Sequence, residues 1–599
     1  MKKLLTGNEA IARGAYEGGV RFASAYPGTP STEILENLSG YKEIHSEWAP
    51  NEKVALETAT GASFAGARAI ASMKHVGVNV AADALMTLTY VGVDGGLVLV
   101  TADEPGQHSS QNEQDNRNFA KFAKIPMVEP ADSQESKDML ITALEISERY
   151  DTPLLFRTTT RVCHSKSIVT CNERREVPIK EYVKDIPKRM TVPFYARAMR
   201  VKVEERAKKL KHFSEETPLN FIVDNNAEIG VIASGICYKY AREVFGSDAS
   251  YLKLGFTWPL PEKKIQDFAA RVKKLYIIEE NDPYIEEVVR ILGIPCFGKD
   301  VFPYNGEMTP DVIRRSIHGP STSKSAQPDR SMVLPRPPMF CAGCPHRGFF
   351  YELGKRKNLF VAGDIGCYAL AFDLPFETVD YNLCMGSSIS SGHGAQRVFD
   401  MKPDNKTRVV SVIGDSTFFH TGINSLINVL YNNSATVNVI MDNRITGMTG
   451  HQENPGSGLT AMGEASAAID IEKVVRALGF KNVTVINPND LAEVDKALNW
   501  ALGLKEPSII ITRWPCALKK FSDDDKQEFP DAFKVKYKVS EDRCIGCKLC
   551  LKAGCPSIRF EPEKKKSEID EGTCMGCGVC AQICTKKAIE RSTETGEVA

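Results

Sequence analysis

The chain has 599 residues, which predicts three to five domains at roughly 100–200 residues each. Apolar residues make up 42% and charged residues 25% of the chain, a composition that excludes wholesale disorder. Lys and Arg total 75 against 76 Asp and Glu, so the net charge gives no reason to expect nucleic acid or an anionic membrane as a partner. No uncharged apolar run approaches the roughly 18 residues that span a bilayer, and the N-terminal residues lack a signal-peptide run. We therefore expect a cytoplasmic protein, in which structural disulfides are rare.

Short runs of apolar, mostly β-branched residues recur along the chain before its cysteine-rich end. Because these runs are continuous rather than alternating, they predict strands that are buried on both faces of a parallel sheet. Helix-compatible segments separate them, so the predicted fold class is α/β, with doubly wound domains. In chain order, the predicted strands are Gly96–Val100, Pro153–Thr159, Ile229–Ala233, Leu275–Ile278, Val409–Ile413, Val437–Met441 and Ser508–Thr512.

Three stretches of unusual composition are predicted to connect the domains. Residues 191–225 are densely charged and rich in good helix formers, so this connector is compatible with a helix. Residues 318–338 are rich in Pro and Ser, and residues 519–534 are again charged. These linkers divide the chain into predicted domains at 1–190, 226–317, 339–518 and 535–599.

Two of the predicted strands end next to side chains that offer oxygen ligands. Asp415 follows the first of them after Gly414, and Asn443 follows the second after Asp442. A ligand site is expected at the carboxyl ends of such strands. Mg²⁺ prefers a few protein oxygens together with phosphate oxygens, so Asp415 and Asn443 suit a divalent cation held against a diphosphate. The alternative is that Asp415 is a turn or cap residue, which is common at strand ends; no Walker-type or G-x-G-x-x-G motif competes at a strand end.

Eight of the 17 cysteines lie in two similar runs near the C-terminus, with spacings C-x2-C-x2-C-x4-C-P and C-x2-C-x2-C-x3-C. The repeat resembles the bacterial two-cluster ferredoxin module, a small α+β fold in which three cysteines of one run and the fourth of the other hold each 4Fe–4S cluster. The x4 gap, and Thr585 in place of the usual proline, depart from that pattern. The alternatives are paired zinc sites, which leave the third cysteine of each run unexplained, and a disulfide knot, which a reducing compartment disfavours. The resemblance implies one cluster on Cys544, Cys547, Cys550 and Cys584 and a second on Cys574, Cys577, Cys580 and Cys555.

The strand-end residues and the segment TGHQ at 449–452 resemble the thiamine-diphosphate signature of the 2-oxoacid:ferredoxin oxidoreductases, and the segment YPGTPS at 26–31 resembles their YP-x-TPS segment. The resemblance implies that domain 1–190 binds the aminopyrimidine and that domain 226–317 is similar to the C-terminal domain of transketolase. Domain 339–518 would then bind the diphosphate and Mg²⁺. Implied site residues are Gly414 and Ser416 for the cofactor, with Asp415 and Asn443 as side-chain ligands of Mg²⁺ and Ile445 as its carbonyl ligand.

Glu52 stands nine residues before the pair Gly61-Ala62. In the family, a glutamate at this spacing lies against N1′ of the cofactor's aminopyrimidine, which implies that Glu52 is catalytic. Hydrogen bonding to N1′ promotes the imino tautomer, whose nitrogen can take the proton from C2 of the thiazolium ring. The alternatives are that Glu57 has this role, or that no glutamate here is functional.

Four further cysteines flank or lie within the predicted diphosphate domain, at positions that resemble the proximal cluster ligands of pyruvate:ferredoxin oxidoreductase. They imply a third 4Fe–4S cluster beside the thiamine cofactor, from which electrons would pass to the C-terminal module. A zinc site or buried structural thiols are the alternatives. These cysteines are Cys341, Cys344, Cys367 and Cys516.

Three residues of the first domain are candidates for contact with substrate. Thr29 is similar to a family threonine near the carboxylate of the 2-oxoacid, and Arg117 is predicted to supply a positive charge. An arginine in a polar loop is more often solvated, and His75, which could face the same pocket, is more often a structural residue when it stands alone.

The domain order resembles, over essentially the whole chain, the large α subunits of the indolepyruvate-type 2-oxoacid:ferredoxin oxidoreductases. That resemblance implies oxidative decarboxylation of an aryl 2-oxoacid to an acyl-CoA, with CO2 release and reduction of ferredoxin. It also implies coenzyme A as co-substrate and a smaller β subunit as partner. The alternatives are an oxidoreductase for pyruvate, 2-oxoglutarate or branched-chain 2-oxoacids, a non-redox thiamine decarboxylase, and an electron-transfer subunit that binds no thiamine.

Overall fold

The computed structural model describes residues 1–320, 329–333, 337–402 and 404–592. The chain divides into two units, Met1–Gln327 and Pro328–Ala599. Most of the predicted linker 318–338 lies outside the described residues. Among the described residues, no helix combines the length and the apolarity needed to cross a membrane.

The first unit contains a seven-stranded sheet in the order β12-β6-β7-β5-β4-β2-β3, a four-stranded sheet in the order β13-β10-β11-β9, and the pair β1-β8. Within the large sheet only the edge pair of β12 with β6 is antiparallel. The strands are β1 Lys2–Thr6, β2 Phe22–Ala25, β3 His45–Trp48, β4 Ala69–Lys74, β5 Leu97–Asp103, β6 Met127–Val128, β7 Leu154–Thr159, β8 Lys166–Thr170, β9 Asn220–Val223, β10 Ile229–Ser234, β11 Ala249–Leu254, β12 Phe256–Trp258 and β13 Lys274–Ile278.

Helices cover these sheets, and several begin at side chains that cap them. Thr6 and Glu9 form a capping box at the first helix, and the Asn51 side chain accepts a hydrogen bond from Val54 N at the start of the third. The helices of this unit are α1 Gly7–Glu17, α2 Thr32–Leu38, α3 Glu52–Phe64, α4 His75–Val91, α5 Arg117–Ala123, α6 Ser133–Tyr150, α7 Thr160–His164, α8 Ile186–Arg189, α9 Pro193–Glu216, α10 Gly235–Phe245, α11 Glu262–Ala269, α12 Tyr284–Ile291 and α13 Pro310–His318.

Most of the stretch 191–225, predicted as a linker that is compatible with a helix, is folded into the unit. It forms the 24-residue helix α9 and the strand β9, which pairs antiparallel with β11. Charged helix formers dominate its composition, but one stripe of α9 is buried, which a composition count does not reveal. The buried residues of α9 are Met199, Val203, Arg206, Leu210 and Ser214.

The predicted first and middle domains share one hydrophobic core. A single cluster joins residues of the large sheet, such as Leu97 and Leu155, to residues of the small sheet, such as Ile232 and Ile277. The middle segment also supplies β12 to the edge of the large sheet. Residues 1–320 therefore pack as one body with two sheets.

The second unit contains a five-stranded parallel sheet in the order β14-β15-β16-β18-β17, followed by the antiparallel pairs β19-β22 and β20-β21 of a small C-terminal module. The strands are β14 Leu359–Ala362, β15 Arg408–Gly414, β16 Val437–Asp442, β17 Asn482–Ile486, β18 Ser508–Arg513, β19 Tyr537–Val539, β20 Ile558–Glu561, β21 Lys566–Ile569 and β22 Ile589–Arg591.

A π-helical turn, Phe418–Gly422, joins two helices directly after β15. Such turns are rare in proteins overall, and many of those that occur lie at functional sites. The helices of this unit are α14 His346–Leu353, α15 Ser387–Asp400, α16 Asp415–Thr417, α17 Ile423–Tyr431, α18 Ile471–Ala477, α19 Leu491–Gly503, α20 Asp523–Glu528 and α21 Val579–Ile583, with 3₁₀ turns at Arg330–Met332, Cys367–Phe372 and Leu549–Ala553.

The segment 519–534, predicted as a linker, is packed against the parallel-sheet domain. Its helix α20 begins with a capping box formed by Ser522 and Asp525, and Lys519 forms a buried ion pair with the same aspartate. Glu528 lies 2.7 Å from the guanidinium of Arg444. A run of charges is therefore a poor sign of a linker here, because these charges are paired within the domain.

The α/β fold class is confirmed. Each of the seven strands predicted from a continuous apolar run is present, and each lies in a parallel ladder. The seven correspond to β5, β7, β10, β13, β15, β16 and β18.

Candidate active site

The strands β15 and β16 end side by side in the second unit. They pair in parallel register, with Gly414 opposite Met441, so that Asp415 and Asn443 emerge at the same edge of the sheet. Ile445 N donates hydrogen bonds to Asp415 Oδ2 at 3.1 Å and to Asn443 Oδ1 at 3.2 Å. The two side-chain oxygens predicted as ligands therefore converge on one backbone amide. Carboxylate, amide and carbonyl oxygens of this kind are the donors that a hard divalent cation takes, so these residues fit Mg²⁺.

Asp415 is buried, and its surroundings disfavour a negative charge. Burial and the neighbouring Asp442 raise the pKa of Asp415 to about 7, against the effect of hydrogen bonds from Ser416 N and the Asn454 side chain. A divalent cation bound to this carboxylate would favour its ionised form. Ser416 contributes a hydroxyl to the same edge, where its Oγ accepts a hydrogen bond from Thr446 Oγ1 at 2.9 Å.

The four cysteines predicted as proximal ligands lie near one another. Burial is the main cause that raises the pKa of Cys344, with Cys367 and Cys516 adding to it. Burial likewise raises the pKa of Cys367 to about 11, with Cys516 and Cys341 adding to it. The segments that carry these cysteines are in contact: a Cβ on Gly343, between Cys341 and Cys344, would lie 3.4 Å from Cβ of Ala517, which follows Cys516. Thiols of raised pKa become metal ligands by losing their protons to the metal, so the group is suited to iron.

This cysteine group adjoins the edge that carries Asp415 and Asn443. Cys516 N donates a hydrogen bond to Asn443 O at 3.0 Å. A Cβ placed on Gly447, four residues after Asn443, would lie 3.7 Å from Cys367 Sγ. The strand-end residues and the thiols therefore form one continuous site within the second unit.

The C-terminal module holds two separate small cavities, each lined by four cysteines. The cysteines divide between them in the two sets that the sequence repeat predicts, with the fourth cysteine of each run crossing to the other set. Among the described residues, no three His, Cys, Asp or Glu side chains converge closely enough to hold a single metal ion. One cavity is lined by Cys544, Cys547, Cys550 and Cys584, and the other by Cys555, Cys574, Cys577 and Cys580.

In the first unit, Glu52 is the first residue of α3 and is only 5% exposed. Its side chain packs against Gly77 in α4, where a Cβ would lie 2.6 Å from Glu52 Cγ. Glycine is therefore required at position 77 to make room for this carboxyl group. His75 begins the same helix and is fully buried; its Nε2 lies 3.2 Å from Asn112 O, and burial followed by the charge of Lys74 lowers its pKa. His75 is thus neutral at pH 7 and held by the protein.

Thr29 lies half-buried in the loop after β2, at the carboxyl edge of the large sheet. The neighbouring Gly28 faces Lys74, since a Cβ on Gly28 would lie 3.0 Å from Lys74 Cβ. Lys74 Nζ pairs with Glu104 Oε2 at 3.2 Å, and burial lowers its pKa. Lys74 was not among the sequence candidates, although a lysine that ends a buried apolar strand at the same sheet edge as Thr29 is a visible signal. It is the cation that the structure places beside the Thr29 loop.

Arg117 does not have the environment predicted for it. It is 1% exposed, and its guanidinium forms ion pairs with Asp115 at 2.5 Å and with Glu279 at 2.6 Å. Its Nη2 also donates to the carbonyl oxygens of Glu280 and Asp282. The arginine is neither solvated nor turned toward a substrate; it ties the large sheet to the segment after β13. Its charge is balanced by protein carboxylates, which argues against the predicted contact with a substrate carboxylate.

The substitution Arg117→Leu is therefore expected to lower the stability of the first unit by about 3–5 kcal/mol, because it leaves buried carboxylates without their cation. Differential scanning calorimetry of the purified chain would measure the change in Tm. The matched control is Arg161→Leu, which removes an exposed partner of Glu307 and should change stability by no more than about 1 kcal/mol. If Arg117→Leu kept the wild-type Tm and raised KM for the 2-oxoacid, Arg117 would instead be the substrate contact that the sequence predicts.

Three protein-family descriptions match parts of this chain. Residues 13–215 match the protein family described as pyruvate flavodoxin/ferredoxin oxidoreductase, thiamine diphosphate-binding. Residues 364–512 match the C-terminal binding domain of thiamine pyrophosphate enzymes, and residues 536–585 match the 4Fe-4S dicluster domain.

Several curated proteins are similar over almost the whole chain. The indolepyruvate oxidoreductase subunit IorA of Archaeoglobus fulgidus is 40% identical, over 98% of this chain and 97% of its own length. The IorA proteins of Pyrococcus horikoshii and Methanothermobacter marburgensis are 38% and 39% identical, over 99% and 94% of this chain and 97% of their own lengths. The chain therefore belongs to the IorA family of indolepyruvate oxidoreductase subunits, within the thiamine-diphosphate-dependent 2-oxoacid:ferredoxin oxidoreductases.

Proposed function

We propose that this chain carries out the oxidative decarboxylation of an aryl 2-oxoacid such as indolepyruvate or phenylpyruvate. The products are CO2, the aryl-acetyl thioester of coenzyme A, and two electrons that pass one at a time to ferredoxin. The observation that carries the proposal is the continuity, within one unit, of the Asp415–Asn443 edge and the cysteine-bearing segments beside it. A redox centre at that position would receive electrons where the 2-oxoacid is oxidised.

The cofactor proposed for this site is thiamine diphosphate, which supplies an electron sink for decarboxylation when it is bound. Asp415 and Asn443 would hold Mg²⁺ through their side chains and Ile445 through its carbonyl, with Gly414 and Ser416 lining the diphosphate site. In the first unit, Glu52 would hold a proton at N1′ of the aminopyrimidine. Its burial supports that role, because a carboxyl group screened from water makes a stronger hydrogen bond to a ring nitrogen.

The substrate contacts proposed in the first unit are Thr29 and Lys74. Their position at the carboxyl edge of the large sheet is where ligands bind in doubly wound domains. Lys74 is proposed in place of Arg117 because it ends a strand at that edge. Its side chain is 11% exposed and pairs with one carboxylate, Glu104, whereas the Arg117 side chain is 1% exposed and pairs with both Asp115 and Glu279. The partners proposed for the complete enzyme are a smaller β subunit and ferredoxin, with cytoplasmic location.

A substrate panel tests the proposed function. The chain would be co-expressed with its β subunit under anaerobic conditions, and reduction of ferredoxin would be followed with indolepyruvate, phenylpyruvate, pyruvate and 2-oxoglutarate, each with coenzyme A. We expect kcat/KM for an aryl substrate to exceed that for pyruvate by at least about 100-fold, since a pocket shaped for a ring gains most from filling it. A preference for pyruvate or 2-oxoglutarate would identify a different member of the family. Aldehyde formation without ferredoxin reduction would identify a non-redox decarboxylase.

Iron analysis tests the cluster assignment separately from activity. Two four-iron clusters predict about eight iron atoms per chain, and the proximal set raises the number to about twelve, with broad absorbance near 400 nm. The double substitution of Cys367 and Cys516 by serine should lower a content of about twelve to about eight. Zinc in place of iron in the wild-type protein would overturn the assignment.

A further inference from the structure

Arg347 is a fully buried arginine in the first turn of α14, three residues after Cys344. Its Nη2 donates hydrogen bonds to Cys341 O at 2.7 Å and to Phe340 O at 2.9 Å. Its Nη1 donates to Ala553 O at 2.6 Å. Ala553 lies between Cys550 and Cys555 in the C-terminal module. One guanidinium therefore joins the loop of the proximal cysteines to the cysteine-bearing segment of the module.

The loop and the module are in direct contact at this point. Gly343, between the two cysteines of the loop, lines the same cavity as Cys574 and Cys577. A Cβ on Gly343 would lie 2.5 Å from Met575 Cβ, so only glycine permits this approach. The proximal cysteine set and the cavity of Cys577 are therefore neighbours, and Arg347 lies at their boundary.

The guanidinium of Arg347 is held by neutral backbone carbonyls. In the part of the chain that the structure describes, no Asp or Glu forms an ion pair with this guanidinium, and its buried Nε has no hydrogen-bond partner. An unpaired buried charge is costly. The contacts of the guanidinium are neutral: three backbone carbonyls, and the ring of Phe340, whose centroid lies 5.9 Å from the guanidinium carbon. The groups of the loop and of the module that become anionic are the cysteines, which lose their protons when they bind iron.

We propose that Arg347 is a positioning residue that supplies a fixed positive charge between two iron–sulfur clusters, one on the proximal cysteines and one in the cavity of Cys577. The proposal rests on the proposed function, because it requires both clusters. Each one-electron reduction adds a negative charge to a cluster whose thiolate ligands are already anionic, so a neighbouring cation stabilises the reduced state. Electron transfer between the two clusters forms and breaks no bond. The electrons come from the 2-oxoacid as it is oxidised, and they pass on to ferredoxin. Arg347 would favour the transfer of electrons through both clusters and hold the clusters at a constant separation.

Redox titration of the loaded complex tests this role. Wild type, Arg347→Gln and Arg347→Lys would be purified anaerobically with the β subunit, analysed for iron, and titrated with dithionite while the reduced clusters are followed by electron paramagnetic resonance. In Arg347→Gln we expect the equilibrium constant for one-electron reduction to fall at least tenfold at both neighbouring clusters, which is 59 mV for a one-electron couple. The cluster of Cys544 should change less. Arg347→Lys should keep values close to wild type.

The control variant is Arg356→Gln, which removes a charge just beyond α14. Arg356 pairs with Asp495 at 2.5 Å rather than with the cysteine loop, so its loss should leave the potentials unchanged. Unchanged potentials in a fully loaded Arg347→Gln protein would overturn the proposal, as would an equal fall in Arg347→Lys. If Arg347→Gln does not load iron, Arg347→Lys decides the question by keeping or losing the wild-type potentials. Wild-type protein without clusters would instead contradict the proposed function itself.

Discussion

Replacement of Glu52 by glutamine is expected to leave thiamine diphosphate bound and to lower turnover at least about 100-fold, within the range attributed to a positioned acid or base. The amide has nearly the shape of the carboxyl group, so it should fit the space against Gly77 where Glu52 is buried. An amide cannot hold a mobile proton at the pyrimidine nitrogen, however. The proposed role of Glu52 therefore separates binding from turnover.

Two measurements on the complex with its β subunit check this expectation: cofactor content after gel filtration, and the rate of ferredoxin reduction with an aryl 2-oxoacid. Glu57→Gln is the matched control because it makes the same chemical change one turn later in α3. Glu57 is exposed and pairs with Lys53 on the helix surface, so we expect turnover close to wild type. Full activity in Glu52→Gln, or loss of activity in Glu57→Gln instead, would move the role to the other glutamate.

The strands of this fold could be predicted because burial on both faces leaves a direct mark on composition. A strand between two layers of helices has no solvent face, so its sequence is a continuous apolar run, as in Val409–Ile413 and Val437–Met441. The ligand edge follows from those strands, since parallel neighbours end together. The sequence alone therefore predicts that Asp415 and Asn443 lie at one edge of the sheet, and the parallel pairing of β15 with β16 places them there.

Charged residues were harder to place, because their role depends on contacts between distant segments. Arg117 lies in a polar loop of the sequence, yet its partner Glu279 is 162 residues away. Arg347 follows a cysteine pair and gives no local sign that its guanidinium reaches Ala553, 206 residues away. Residues 191–225 show the same difficulty at the level of an element: their charges line the exposed side of α9, and only the structure shows that its other side is buried.

The cysteines are intermediate between these cases. Short spacers confine three thiols of a run to one site, so the runs predict the clusters locally. The exchange of the fourth cysteine between runs is a tertiary property, and it is consistent with the two separate cavities. The proximal set is spread from Cys341 to Cys516 and has no spacing of its own. Resemblance to a family is the signal for it in the sequence, and in the structure the segments that carry these cysteines are close to one another.

Asp415→Asn is expected to abolish binding of thiamine diphosphate with Mg²⁺, and with it decarboxylation, while the iron content stays at the wild-type value. The amide can still accept the hydrogen bond from Ile445 N, so the loop after β16 should keep its place. The amide lacks the negative charge with which Asp415 would bind the divalent cation. The loss of cofactor affinity should therefore exceed the roughly 10–100-fold loss that follows removal of a residue that only hydrogen-bonds to a metal ligand. Isothermal titration with thiamine diphosphate and Mg²⁺ would measure it, with Asp495→Asn on the surface of the same unit as the control. If Asp415→Asn bound the cofactor with wild-type affinity, Asp415 would be excluded as a ligand of Mg²⁺, and the proposed metal site at this sheet edge would lose its one charged ligand.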